Sequence, residues 1–217
     1  MPAPLTDVDR ILTAAADILM ADGYDAVTIP AIAAHSGLAA SEVSELFETP
    51  GDALVAMLNR EFTEMYAGIV DHIERDPRGG LLSRIYLYIL AGIYERPLSK
   101  TLFVIDRDAL NRIMRHSHSF RYVPQVGIRG EMIERLQAAG MVRRDVDASM
   151  VSSVLSVCSA GLALTAPHDD LDMIIRGISD LLARGVDATV DDTTPGKRVF
   201  YDWATSLTVP STSASDD

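Results

Sequence analysis

The sequence predicts an all-α protein, and three observations support this prediction. Apolar residues recur three and four positions apart in successive segments, which is the spacing of a helix that buries one face. Of the 217 residues, 48% are hydrophobic and 23% are charged, so the chain has enough apolar side chains for a folded core. Residues that break helices separate the segments at Gly23, Gly37, Gly80, Pro97 and Gly140.

The first helix is predicted from Thr6 to Ala21. Thr6 can cap its N-terminus, because a threonine hydroxyl accepts a hydrogen bond from a free amide of the first turn, and Asp9 follows three residues later. Gly23 is expected to end the helix. The inward face is expected to consist of Ile11, Ala15, Ile18 and Leu19.

Two short helices around a tight turn follow. Thr28 can cap the first of them, and Pro30 lies in its first turn, where a missing N–H costs little. Gly37 suits the left-handed conformation that ends a helix, and the second helix runs from Ala40 to Phe47. Its buried face is predicted to be Val43, Leu46 and Phe47. Two helices joined by a short glycine-containing turn form a helix-turn-helix.

This region resembles the N-terminal domain of the tetracycline-repressor (TetR) family of bacterial regulators. The agreement in order and spacing extends over residues 10–54. The matching residues are Arg10-Ile11-Leu12, Ala14-Ala15, Gly23-Tyr24, Val27-Thr28, Ile32-Ala33, Ser36-Gly37-Leu38, Phe47 and Leu54.

The resemblance implies a homodimer with a three-helix DNA-binding headpiece at residues 1–50 and a helical domain at 51–207 for a small effector and the partner subunit. Residues 208–217 are expected to be a disordered tail. The implied function is a ligand-responsive transcriptional regulator, a repressor in the first instance, that binds double-stranded operator DNA and is not an enzyme. The DNA-contacting positions of the family fall on Thr28, Ala39, Ser41, Glu42, Ser44 and Glu45.

Departures from the family pattern leave other hypotheses open. Ser44 stands where the family usually has tyrosine, Ala39 where it has serine, and Pro50-Gly51 where lysine is common. Residues 1–54 hold one basic side chain, Arg10, against nine acidic ones, a net charge of −8, and such a surface repels phosphate. The alternative is a protein of the same fold that does not bind DNA by itself and acts through a small molecule or a protein partner. A less favoured alternative is an enzyme that uses a pocket in the C-terminal domain.

Further helices are predicted after the helix-turn-helix. In the TetR family the first and longest of them joins the headpiece to the effector domain and transmits the allosteric motion. The second is apolar on most sides and should therefore be central. The expected bounds are Gly51–Arg75, Leu81–Glu95, Ser99–Arg115, Pro124–Ala139, Asp147–Leu164, Leu171–Ala183 and Lys197–Leu207.

The helices at 147–164 and 171–183 are expected to meet a partner subunit. In the family this pair forms a four-helix bundle with its mates, so the resemblance implies the same interface here. Packing within the chain is the open alternative. The candidate interface residues are Val151, Val154, Leu155, Leu162, Ile174, Ile178 and Leu181.

An effector pocket is expected among the middle helices, lined by apolar and aromatic side chains. Such side chains could equally belong to an ordinary core. Residues 96–121 carry a net charge of +4, which either balances acidic neighbours or attracts an anionic effector. The candidate ligand-binding residues are Phe62, Tyr66, Tyr86, Tyr88, Tyr94, Phe103 and Met114.

The sequence contains no motif for covalent catalysis, a cofactor or a metal. It has no G-x-G-x-x-G, no Walker loop and no G-x-S-x-G, and His116 and His118 lack the spacing of a helical metal pair. The single cysteine, Cys158, excludes an intrachain disulfide and fits a reducing cytoplasm. No apolar run of about eighteen residues and no secretory signal are visible, so we expect a cytoplasmic protein without a membrane span.

Overall fold

The computed structural model describes residues 5–116 and 130–208, and these ranges contain eleven α-helices and one isolated β-bridge, between Val142 and Asp187. The all-α prediction is therefore confirmed. The helices are α1 Asp7–Asp22, α2 Ile29–Ser36, α3 Ala40–Leu46, α4 Pro50–Arg75, α5 Leu82–Glu95, α6 Pro97–Lys100, α7 Arg107–His116, α8 Gly130–Ala138, α9 Ala148–Leu164, α10 Leu171–Gly185 and α11 Thr194–Thr208.

Two expectations fall wholly or partly on other residues. The start of the helix expected at Pro124 lies outside the described residues, and α8 is described from Gly130. The tail expected to be disordered lies outside them from residue 209 onward.

The chain divides into two compact units. The first unit is Met1–Thr63 with Pro97–Phe120, and the second is Glu64–Arg96 with Arg121–Asp217. Helix α4 contributes its first half to the first unit and its second half to the second. These two units follow the density of contacts within the chain and carry no information on function. The functional boundary at residue 50 therefore stays a prediction.

Local capping explains the start of the headpiece, by which we mean helices α1, α2 and α3. Thr6 Oγ1 accepts a hydrogen bond from the Asp9 amide at 3.1 Å, and the Thr6 amide donates to Asp9 Oδ2 at 3.2 Å. The side chain of each residue thus satisfies the backbone amide of the other. The Thr6 hydroxyl also lies 2.6 Å from Asp9 Oδ2 as a donor, and this bond, together with the one from the Thr6 amide, holds the pKa of Asp9 below its usual value. Thr28 Oγ1 accepts from the Ala31 amide at 3.2 Å, and Gly37 ends α2 with φ of 70°. The predicted cap and turn of the helix-turn-helix are thus confirmed.

The buried face of α3 differs from the prediction at one residue. Val43 is fully buried and Phe47 is half-buried, but Leu46 is 47% exposed, so its predicted burial was wrong. The reason is that α3 is only seven residues long and the chain leaves the helix at Phe47, in an extended conformation. Leu46 is therefore left on the outer side of the last helical turn.

The single helix predicted from Ser99 to Arg115 is broken in two. Helix α6 continues into a π-helical turn at Thr101–Ile105, and α7 begins only after Asp106. The Asp106 carboxylate accepts from the Ala109 amide at 2.9 Å and so caps α7, because aspartate competes with the helix for backbone amides. Apolar spacing alone does not reveal this interruption.

The second unit is built around α5, which is buried on most sides as predicted. The carboxylate of Asp187 caps its N-terminus, accepting from the Ser83 amide at 3.2 Å and from Ser83 Oγ at 2.5 Å. Burial raises the pKa of Asp187, although the bonds from Ser83 oppose that shift. Helix α11 is held at Phe200, which is completely buried, and Lys197 donates to the Glu74 carbonyl at 2.7 Å.

Candidate nucleic-acid interface and effector groove

The outer face of the helix-turn-helix is open to solvent. All six predicted DNA-contacting residues are exposed: Thr28, Ala39, Ser41, Glu42, Ser44 and Glu45. Glu42 also has a structural role, because its carboxylate accepts from the Ala39 amide at 2.6 Å at the start of α3. DNA contact by these side chains stays a prediction, and their exposure is compatible with it.

The two arginines that flank this region in the sequence are bonded to the backbone and side chains of the headpiece. Arg10 Nη2 donates to the Ser36 carbonyl at 2.5 Å, where a cation stabilises the C-terminal end of α2. Arg60 donates to the Asp9 carbonyl at 3.2 Å and to Thr13 Oγ1 at 3.3 Å, which joins α4 to α1. Since residues 11–59 contain no lysine or arginine, the exposed face of α3 is acidic.

A clamp formed by Arg112, Asp25 and Tyr24 joins α7 to the turn after α1. The Arg112 guanidinium donates two hydrogen bonds to the Asp25 carboxylate and lies 3.9 Å from the centroid of the Tyr24 ring. These hydrogen bonds hold the pKa of Asp25 below its usual value. One basic side chain of the 96–121 segment is therefore used in a contact inside the first unit.

The aromatic residues proposed for ligand binding lie in several different places. Phe62 stacks on Phe103 with ring centroids 5.5 Å apart, in the core of the first unit. In the second unit, Tyr66 is buried against Trp203 at 5.6 Å. Tyr86 is also buried there and donates to the Leu155 carbonyl at 3.1 Å, and burial raises its pKa to about 12. These contacts are those of core residues.

Of the predicted ligand-binding residues, Tyr88 and Tyr94 line a groove, and Met114 is half-buried in the first unit. The groove has a volume of about 750 Å³ and lies in the second unit, between the second half of α4, α5 and α10. This volume is within the range of small-molecule sites. Its charged residues could not be assigned from the sequence, because they come from the consecutive helices α4 and α5 and from α10, which is distant along the chain.

A hydrogen-bonded network closes one end of the groove. Asp76 accepts from Arg84 Nε, from the Tyr88 hydroxyl at 2.9 Å and from the Arg78 amide at 2.8 Å. Burial opposes ionisation of Asp76, but these hydrogen bonds outweigh it and lower its pKa. The Tyr88 ring also stacks on His72 at 5.5 Å, so its position is fixed from two sides.

The predicted dimer residues separate into two groups. Val151, Leu155 and Leu162 are buried within the chain, which is the alternative of packing inside the subunit. Val154 is 52% and Leu181 is 73% exposed, while Ile174 and Ile178 are half-buried. Further large apolar side chains that the sequence did not single out are exposed on the same two helices: Met150, Val157 and Leu164 on α9, and Met173 on α10.

The described residues lack two kinds of feature. Within residues 5–116 and 130–208, every helix falls short of the length or the apolar character that a membrane span requires. In the same ranges no three histidine, cysteine or acidic side chains are grouped as ligands for a metal ion.

Comparison with known proteins gives the fold. No protein-family model and no curated protein matches the chain. Among solved structures it is similar to the fatty acid degradation regulator FadR of Bacillus halodurans, with a TM-score of 0.56, 14% identity and coverage of 85% of this chain and 98% of that one. It is similar to SmeT, the repressor of the multidrug efflux pump SmeDEF of Stenotrophomonas maltophilia, with a TM-score of 0.56, 16% identity and coverage of 86% and 95%.

A third similar structure is described as a member of the family by name. A transcriptional regulator of the TetR/AcrR family from Thermobifida fusca has a TM-score of 0.53 and 18% identity, and the match covers 82% of this chain and 97% of that one. The chain therefore has the fold of the TetR-family regulators, which confirms the fold that the resemblance implied.

Proposed function

We propose that this chain, which has the TetR fold, is a dimeric, ligand-responsive transcriptional regulator that binds DNA, and that it acts as a repressor. The most direct support is that α3 is exposed and follows a helix, α2, whose two ends are capped as predicted. Thr28 and Gly37 fix the ends of α2, and Val43 anchors α3 in the core, so the opposite side of α3 is free to enter a major groove. A cytoplasmic, non-enzymatic protein follows from this proposal.

The exposed apolar surface of α9 and α10 supports the dimer. Val154, Val157 and Leu181 are between 52% and 73% exposed, and such a surface needs a partner to exclude water. A second copy of the chain would cover this surface in a four-helix bundle. A dimeric helix-turn-helix protein binds two half-sites in successive major grooves, about 34 Å apart. We expect Leu181→Asp to convert the dimer to a monomer in analytical ultracentrifugation. Leu5→Asp, at another exposed leucine, should leave the dimer intact.

Helix α4 gives the physical route for a ligand response. Its first half is bonded to α1 through Arg60, while Met65 and Ile69 in its second half line the groove. A ligand in the groove would therefore contact the same continuous helix that supports the headpiece. Binding shifts the population toward one position of α4 only if the ligand has different affinities for the two positions.

The DNA-binding proposal is tested with a library of random duplexes. We expect the full chain to select a palindromic site at about 50 mM salt, and its affinity to fall as salt rises to about 200 mM. Fluorescence anisotropy with the selected duplex measures the affinity and its dependence on salt. No selected sequence at low salt would overturn the proposal, whether or not the protein is dimeric.

One observation favours a second candidate, a TetR-fold protein that does not bind DNA by itself. Glu42 and Glu45 are exposed on α3, and the two arginines nearest to them in the sequence both bond to groups of the headpiece. This candidate predicts failure of the duplex selection together with stable association of a protein or small-molecule partner. Gel filtration and mass spectrometry of the purified complex would identify that partner.

A further inference from the structure

We propose that the groove between α4, α5 and α10 binds a small organic cation with an aromatic or other apolar body. The inference rests on the proposed function only in treating this cation as the effector. Binding itself depends on the groove alone.

The shape of the groove follows from contacts between α4 and α5. His72 stacks on Tyr88, and Glu64 binds Arg96 at 2.8 Å, so the two helices run antiparallel along the groove. Between these points Gly92 faces Ile69, and a Cβ added to Gly92 would be 2.9 Å from Ile69 Cγ1. The absence of a side chain at Gly92 therefore lets the two helices approach closely beneath the groove.

The floor of the groove is apolar. Met65, Ile69 and Ile175 line it and are at most 5% exposed. An apolar body placed here gains roughly 25 cal/mol for each Å² that it removes from water. The floor therefore accepts the hydrocarbon part of a ligand and does not select its charge.

The charge of the lining selects a cation. Each of the three lining arginines already has an acidic partner: Arg84 has Asp76, Arg96 has Glu64 and Arg176 has Asp172. Two further lining carboxylates, Glu95 and Asp180, form no ion pair and no side-chain hydrogen bond with any described residue. The lining residues thus have a net negative charge, and the chain as a whole has a net charge of −12.

The aromatic lining already holds one organic cation. Tyr88 lines the groove with Tyr94 and His72, and the Arg84 guanidinium lies 5.3 Å from the centroid of the Tyr88 ring, which also stacks on His72. A cation with an apolar body satisfies the floor and the carboxylates together. An anion would meet Glu95 and Asp180 and would have to displace a carboxylate from each arginine that it bound.

The test uses two probes of the same shape and opposite charge, tetraphenylphosphonium and tetraphenylborate. Isothermal titration calorimetry of the full chain without DNA should show one phosphonium bound per chain and borate at least about tenfold weaker. Glu95→Gln and Asp180→Asn should each weaken phosphonium binding about two- to fivefold, the range expected for one exposed charge. Glu134→Gln removes an exposed charge on α8 outside the groove and should change nothing.

Ala91→Trp supplies an independent steric test, because Ala91 lines the groove and is half-buried. It should abolish phosphonium binding, and a thermal melt confirms that the variant is folded. Borate binding as tight as phosphonium, or phosphonium affinity unchanged in Glu95→Gln and Asp180→Asn, would overturn the proposal. Because no DNA is present, failure here leaves the duplex selection as a separate test of DNA binding.

Discussion

On α3 the exposed Glu42 and Glu45 have no described cation beside them, whereas in the groove every lining arginine lies against a carboxylate. Arg10 of α1 and Arg60 of α4 both bond to groups of the headpiece itself, so the surface charge of the headpiece is set by the acids that remain. In the groove, paired charges cancel and two carboxylates are left over. One fold thus fixes where each site lies, while local pairing of charges decides what each site can bind.

The largest expected effect tests whether the second unit depends on its last helix. Phe200→Ala should lower the free energy of unfolding by about 3–5 kcal/mol, because it empties a fully buried aromatic site. Val43→Ala in the headpiece should cost about 1–2 kcal/mol, since it removes only two methyl groups. Chemical denaturation measures both. Tyr201→Ala, at a neighbouring residue that is 54% exposed, is the control, and a cost equal to that of Phe200→Ala would contradict the assignment.

A smaller effect concerns the buried carboxylate of the second unit. Because the pKa of Asp187 is raised in the folded state, ionisation disfavours folding as pH rises from about 3.8 to the folded pKa. The stability advantage of the native chain over Asp187→Asn should therefore shrink across that interval and then stay constant. Denaturant titrations between pH 3.5 and 7 measure this difference. An advantage that grew with pH would show that Asp187 has a lowered pKa.

The smallest expected effect concerns the clamp in the first unit. Arg112→Ala removes both hydrogen bonds to Asp25 and the contact with the Tyr24 ring. We expect amide hydrogen exchange at residues 24–26 to become several-fold faster, while exchange in α5 stays the same. Arg115→Ala, an exposed position on α7, is the matched control. Equal exchange rates in the two variants would mean that the clamp does not order this turn.

How much could be predicted from the sequence depended on whether the decisive interaction was local. Thr28 and Gly37 act on their own helix, and both were assigned correctly. Leu46 was misassigned because its burial depends on where α3 ends. On α9 the spacing of three and four fits two adjacent apolar stripes, and only packing shows that Val151 and Leu155 face inward while Val157 is exposed.

The groove is the clearest case of a site that the sequence could not reveal. Its free carboxylates, Glu95 and Asp180, are 85 positions apart in the chain and resemble any other exposed acid. Their significance depends on Arg96 and Arg176 being neutralised by other residues, which is a property of the folded chain. Tyr88 was singled out by residue type, but the partners that hold its ring, His72 and Asp76, were not.

The most direct test of DNA binding through α3 compares two charge reversals on the headpiece. Glu45 lies on the exposed face of α3, and Asp17 is an exposed residue of α1. With the selected duplex, we predict that Glu45→Lys raises affinity roughly fivefold or more and steepens the slope of log affinity against log salt by about one. Asp17→Lys should change affinity less than about twofold. Equal gains in the two variants, or no gain in Glu45→Lys, would contradict the placement of DNA on α3.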